Sequence, residues 1–215
     1  MIIIIGGEKG GPGKSTVAQN LSAYLTLEKK VDNILIDADP QGTTEDWIDD
    51  RNNNPDVKQI HCAKKTGRIH TALQDFEQRY GIVVVDVGGR DNEGLRSAMA
   101  VADLIVIPLR PKRRDLKTLT HMSELVVQAG ALNTKLKART LITQCPTLPN
   151  QATRILEAKE ACESFGLLSL NAITYTRNVY DDIEENGLSV FESSDKKAID
   201  EITKIGEEIF KVLEV

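Results

Sequence analysis

The chain has no excess of positive charge, no long apolar run, no histidine or cysteine cluster and no linker-like tract. Each absence removes a class of function. The formal net charge is −5, which argues against tight, charge-driven nucleic-acid binding by a monomer but not against a local basic patch. No apolar stretch approaches a membrane-spanning length. Met1 leads directly into a short isoleucine run without a basic region, so no secretory leader is expected and a cytoplasmic location is. Cys62, Cys145 and Cys162 are odd in number, far apart and without metal-like spacing, so they read as buried free thiols in a reducing compartment. His61, His70 and His121 are equally scattered. No repeat or composition shift marks a boundary, so residues 1–215 are expected to form one domain.

What is present is concentrated at the start. Four isoleucines, Ile2 to Ile5, are followed by Gly6-Gly7-Glu8-Lys9-Gly10-Gly11-Pro12-Gly13-Lys14-Ser15-Thr16. A buried strand, a glycine-rich loop and a helix start form a phosphate cradle: backbone N–H groups wrap the phosphates, Lys14 supplies a charge and the Ser15 hydroxyl can ligate Mg²⁺. The strict pattern G-x-x-x-x-G-K-[ST] fails, because its first glycine falls at Glu8.

Apolar runs and helical periodicities alternate along the rest of the chain. Strands are expected at residues 34–36, 57–62, 82–85, 104–107, 138–143 and 168–173. Helices are expected at 15–27, 43–50, 69–80, 94–102, 116–129, 153–165, 180–185 and 196–213. Residues 51–55 read as a polar turn, and Pro108 and Pro111 as breakers of the strand before them. The expected fold is α/β, a mostly parallel twisted sheet with helices on both faces. In such sheets ligands lie beyond the carboxyl ends of the strands. The glycine loop, the pair Asp37/Asp39 and Asp86 all stand there. Asp86 closes a hydrophobic strand and reads as a Walker B carboxylate that holds Mg²⁺. Asp37 and Asp39, two apart in an extended segment, point to one side, where both can face the phosphates. Trp47 reads as packing.

Lys9-Gly10-Gly11-Pro12-Gly13-Lys14-Ser15 resembles the deviant Walker A box, K-G-G-x-G-K-[ST], of the ParA/MinD family of ATPases. Asp37-Ala38-Asp39-Pro40-Gln41-Gly42 resembles the D-x-D-P-Q-G box of ParA-type proteins. The resemblance runs over most of the chain and is of the short plasmid-partition type, without an N-terminal DNA-binding extension. It implies a P-loop ATPase using ATP and Mg²⁺. Residues 9–16 would bind the nucleotide. Ser15 would hold the metal with Asp86, and Asp37 would support its shell. Asp39 would orient the attacking water, and Lys9 would reach the phosphates bound by a second copy. ATP would then favour a sandwich homodimer, with higher assembly left open, and slow, partner-stimulated hydrolysis would reset it in a bacterial or archaeal cytosol, on or off the nucleoid.

The function so implied is partition of plasmid or chromosomal DNA with a centromere-binding partner. The alternatives are positioning of a protein cargo by the same switch, or a metabolic P-loop enzyme acting on a small molecule. The resemblance also raises non-specific DNA binding, for which Arg177, Arg113 and Arg114 are the candidates. The turn Lys112-Arg113-Arg114-Asp115 departs from the family pattern. Membrane binding is not expected: the amphipathic segment 199–213 carries Asp200, Glu201, Glu207 and Glu208 on its polar face, which anionic lipid would repel.

Overall fold

A computed structural model describes residues 1–89 and 93–214. The strands are β1 (Ile2–Ile5), β2 (Asn33–Asp37), β3 (His61–Lys64), β4 (Ile82–Asp86), β5 (Leu104–Leu109), β6 (Lys137–Cys145) and β7 (Ser169–Tyr175). They form one sheet in the order β3-β2-β4-β1-β5-β6-β7, and every ladder is parallel. The helices are α1 (Lys14–Tyr24), α2 (Thr43–Asn53), α3 (His70–Glu77), α4 (Glu93–Met99), α5 (Arg113–Leu116), α6 (Leu119–Leu132), α7 (Thr153–Ser164), α8 (Asn178–Glu184) and α9 (Lys196–Leu213).

The inner strands are apolar on both faces because both faces are covered. Alternate residues feed two cores. Ile2, Ile4, Val83, Val85, Ile105 and Ile107 pack with Leu73 of α3, Met99 of α4, Met122 of α6 and Cys162 of α7. Ile3, Ile5, Leu35, Val84 and Val106 pack with Leu21 of α1, Trp47 of α2 and Ile202 and Ile205 of α9. Trp47 is packing, as expected; its indole N–H donates to the Leu188 carbonyl at 2.9 Å. Cys145 and Cys162 are buried thiols and Cys62 is half-buried.

Three expectations are corrected. Pro108 does not break β5, which continues to Leu109. Val106 turns its carbonyl to β1, accepting from the Gly6 N–H. Alternation turns the Pro108 nitrogen to the same side, past the end of β1, so the missing N–H costs no ladder bond. The strand expected at 57–62 lies later, at His61–Lys64, where it is the exposed edge. The polar turn expected at 51–55 begins inside α2, which runs to Asn53. Arg51 is 0 % exposed. Its guanidinium stacks over Trp47, donates to the carbonyls of Lys58 and Gly187, and pairs with Glu192 at 2.6 Å.

At the other edge α9 covers β7. Its apolar face is inward, and two of its carboxylates turn inward as well. Glu208 accepts from the Asn171 and Ala172 N–H groups at 2.7 and 2.8 Å, and Glu201 from the Tyr175 N–H at 3.1 Å. An edge strand otherwise offers those donors to another chain. No helix among the described residues is long and apolar enough to cross a membrane.

Candidate nucleotide site

β1 lies between β4 and β5, so the glycine loop that follows it opens at the middle of the sheet's carboxyl edge. Gly13 caps α1 in the left-handed region, φ 79°, and no side chain caps the helix. The first-turn N–H groups are therefore left for an anion, favoured by the helix dipole. Lys14 is buried, and its ammonium donates to the Lys9 carbonyl at 2.7 Å. Burial lowers its pKa, and the charges of Asp86 and Asp39 act against that shift.

Register then sets the carboxylates. Ile5 of β1 and Asp37 of β2 both lie opposite Asp86 of β4, so the ends of three adjacent strands line up. Asp86 is 1 % exposed. Its Oδ2 accepts from the Thr44 hydroxyl at 2.7 Å, whereas Oδ1 is buried without a hydrogen-bond partner among the described residues. Burial pushes its pKa up to about 6; the Thr44 and Ser15 hydroxyls oppose the shift, and the Asp37 charge adds to it. A buried carboxylate oxygen with no partner, beside a serine hydroxyl and a second carboxylate, fits a hard divalent cation of the Mg²⁺ type.

Asp37 is fully buried and holds backbone. Oδ1 accepts from the Asp39 N–H at 2.9 Å and Oδ2 from the Glu45 N–H at 2.8 Å, which ties the D-x-D-P-Q-G segment to the first turn of α2. Burial raises its pKa despite these bonds. Asp39 is half-buried, and its Oδ1 accepts from the Gln41 N–H at 2.9 Å. Thus Lys9, Lys14, Ser15, Asp37, Asp39 and Asp86, together with Gly10 to Thr16, form one constellation.

Several residues of the site were not singled out from sequence. Thr44 is one; two adjacent threonines after a glycine carry no signal of which carboxylate they meet. Gly88 and Gly89 are others. A Cβ on Gly88 would lie 2.7 Å from the Asp39 carboxyl carbon, and one on Gly89 would lie 2.8 Å from the Gly10 nitrogen. The loop after β4 is thereby pressed against both the phosphate loop and Asp39, which only glycine permits. From β6, the Thr143 hydroxyl donates to the Pro12 carbonyl at 2.8 Å, and the Gln144 amide to the Gly11 carbonyl at 3.0 Å. Gln144 holds a left-handed backbone, φ 48°, a strained conformation often kept at functional sites. Beside it a cleft of about 170 Å³, lined by Pro12, Thr16, Gln144, Thr176 and Tyr180, adjoins the loop.

The basic candidates separate. Arg113 and Arg114 are exposed. Arg177 is not a free charge: its guanidinium pairs with Glu201 at 2.6 Å and lies over the Tyr175 ring. A phosphate contact by Arg177 would have to break that pair.

A parallel sheet with a glycine loop after its central strand and carboxylates on the flanking strand ends defines a P-loop nucleotide-binding protein. Residues 3–188 match the model of the CobQ/CobB/MinD/ParA nucleotide binding domain, and the chain belongs to that family as a ParA/MinD-like ATPase. It is 32 % identical over 206 residues to the maintenance of carboxysome distribution protein A of Halothiobacillus neapolitanus, covering 94 % of this chain and 92 % of that one. Its fold is similar to that of Cyanothece McdA in an ATP complex, with TM-score 0.78 at 14 % identity, covering 100 % of this chain and 96 % of that one. It is also similar to a Borrelia burgdorferi B31 protein described as a plasmid partition protein, bound to AMPPNP, with TM-score 0.73 at 20 % identity, covering 98 % of each.

Proposed function

We propose that this chain is an ATP-hydrolysing switch that positions a protein cargo, working as a dimer closed on two nucleotides. The chemistry rests on one observation, the unpartnered buried Oδ1 of Asp86 beside Ser15. The choice of protein cargo over DNA rests on the 32 % identity to a carboxysome distribution protein along 94 % of this chain.

In this reading the N–H groups of residues 10–15 and the Lys14 ammonium hold the phosphates. Ser15 and Asp86 hold Mg²⁺, with Asp37 keeping the surrounding backbone in place. The ion, when bound, neutralises charge on the phosphate oxygens. Asp39, packed against Gly88, orients a water for in-line attack. Lys9 extends to the phosphates of the second copy, where two triphosphates facing each other need added positive charge. Loss of the γ-phosphate removes that demand and releases the dimer. Hydrolysis is slow until a partner stimulates it.

ATP hydrolysis and oligomeric state, compared across wild type, Lys9→Ala, Lys14→Ala and Asp39→Ala, test the switch. Lys14→Ala is expected to lose nucleotide binding. Asp39→Ala is expected to bind ATP and stay dimeric without turnover; hydrolysis at the wild-type rate would show that another group orients the water. Brisk turnover that survives Lys9→Ala would sink the dimer. Partition of DNA with a centromere-binding partner is the competing reading, supported by the exposed Arg113 and Arg114. It predicts ATP-dependent, salt-sensitive retardation of unrelated duplexes.

A further inference from the structure

A second concavity lies apart from the cleft lined by Pro12 and Gln144. It is an open groove of about 730 Å³ between the α5 turn with the start of α6 on one side and α7 on the other. Lys112, Arg113, Lys117 and Arg154 line it, against the single carboxylate of Glu157, and Leu116 and Phe165 contribute apolar surface. Lys112, Arg113 and Lys117 are exposed, and none has an acidic partner among the described residues. Exposed cations without an acidic partner among the described residues stand elsewhere too, at Lys30, Lys65 and Arg79, but those in the groove share one concavity, and other surface cations are held by carboxylates. Arg68, Lys64, Lys135, Lys137 and Lys204 are all paired with carboxylates. On a chain of net charge −5, a concave strip of unpaired cations is a local reversal of sign.

The groove also carries apolar surface: Phe165, which lines it, is 40 % exposed, and Leu116 lines it from the α5 turn. A groove that joins aromatic and aliphatic surface to unpaired cations is complementary to a segment that carries carboxylates and apolar side chains together. A nucleic-acid backbone would use the cations but leave the apolar surface without a partner.

The groove also adjoins the phosphate loop. Asp115, buried on the α5 turn, accepts from the Arg110 guanidinium at 2.7 and 3.1 Å. An Arg110 nitrogen lies 3.5 Å from where a Cβ on Gly11 would be. Arg113 and Leu116 of the groove belong to the same short turn as Asp115.

We infer that this groove is the docking site for an acidic, apolar-bearing peptide segment of a partner protein. The inference names the chemistry of the partner in the switch proposed above and rests on that reading.

The probe is a fluorescein-labelled synthetic peptide alternating Glu and Asp with Leu and Phe, titrated against the full chain by fluorescence anisotropy with and without ATP. The same peptide with Lys in place of its acids, and a labelled duplex of arbitrary sequence, are run beside it. Wild type should bind the acidic peptide saturably and the Lys peptide at least tenfold more weakly. The triple variant Lys112→Glu/Arg113→Glu/Lys117→Glu should lose about tenfold or more in affinity for the acidic peptide. Phe165→Ser should weaken it as well. Arg79→Glu, an exposed charge before the start of β4 and so at the opposite end of the sheet, should leave it unchanged.

Equal binding by the triple variant, equal binding of the Lys peptide, an equal loss in Arg79→Glu or no binding to wild type would each overturn the inference. Duplex binding that the triple variant loses, with no binding of the acidic peptide, would overturn it in favour of a nucleic-acid surface. A fluorescent ATP analogue bound normally by the triple variant shows that the fold is intact. Failure of wild type to bind that analogue would instead remove the proposed switch.

Discussion

Replacing Asp86 by asparagine should make the protein more stable without ligand and useless with it. The wild-type carboxyl is 1 % exposed, with one oxygen lacking a partner among the described residues, and burial raises its pKa from 3.8 to about 6. A raised carboxylate pKa means that the folded state holds the proton more tightly than the unfolded state. Stability from this group is therefore fully present below the unfolded value and is lost as pH rises through the folded value. The full penalty above the folded pKa is about 3 kcal/mol, because each tenfold gain in proton affinity on folding corresponds to about 1.4 kcal/mol. Roughly half of it is already incurred at about pH 5, so between about pH 5 and about pH 7.5 the loss is on the order of 1–2 kcal/mol. Asp37, also raised by burial, adds in the same direction, so the informative quantity is the difference between wild type and Asp86→Asn. Urea unfolding of the two proteins at both pH values measures it. Wild type should lose on the order of 1–2 kcal/mol more than the variant across that window, and the variant should be the more stable at the higher pH. Magnesium with ATP should then stabilise wild type and leave the variant nearly unmoved. Identical pH dependence in the two proteins, or a variant less stable than wild type at about pH 7.5, would refute the idea that this carboxylate is held at a cost for a cation.

Gly88→Ala should displace the Asp39 carboxylate, because the added Cβ would meet it at 2.7 Å; single-turnover hydrolysis should fall while ATP binding measured by equilibrium dialysis is kept. Arg51→Ala should destabilise the chain by about 3 kcal/mol, since it frees the Lys58 and Gly187 carbonyls and leaves Glu192 only its Ser189 partners, and a thermal melt will show it. Thr143→Val keeps the side-chain shape but removes the donor to the Pro12 carbonyl; a loss of about 1 kcal/mol in stability and a weaker nucleotide affinity are expected, read by urea titration and by isothermal calorimetry.

The division between what is legible in the chain and what is not follows the range of the interactions. Local pattern is enough for the alternating elements, the parallel sheet, the glycine loop and the carboxylates at the strand ends, because strand burial, turn chemistry and motif spacing act over a few residues. The same local rule fails at Pro108, because whether a missing N–H matters depends on where the neighbouring strand ends. It fails at Arg51, which looks solvated in a polar stretch, since the carbonyl of Gly187 and the carboxylate of Glu192, which make its burial tolerable, lie 136 and 141 residues away. Arg177 reads as a free charge until α9 brings Glu201 to it.

The amino-acid sequence by itself determined which chemistry the chain carries: a phosphate cradle, a charge to serve it and three carboxylates at strand ends. Only the tertiary structure decided what each group is free to do. It ties Asp37 to backbone, neutralises Arg177 and, among the described residues, leaves one oxygen of Asp86 without a partner and gathers unpaired cations around Leu116 and Phe165. The physical reason is that identity and spacing are local, whereas desolvation and charge pairing depend on groups that the chain brings together only when it folds.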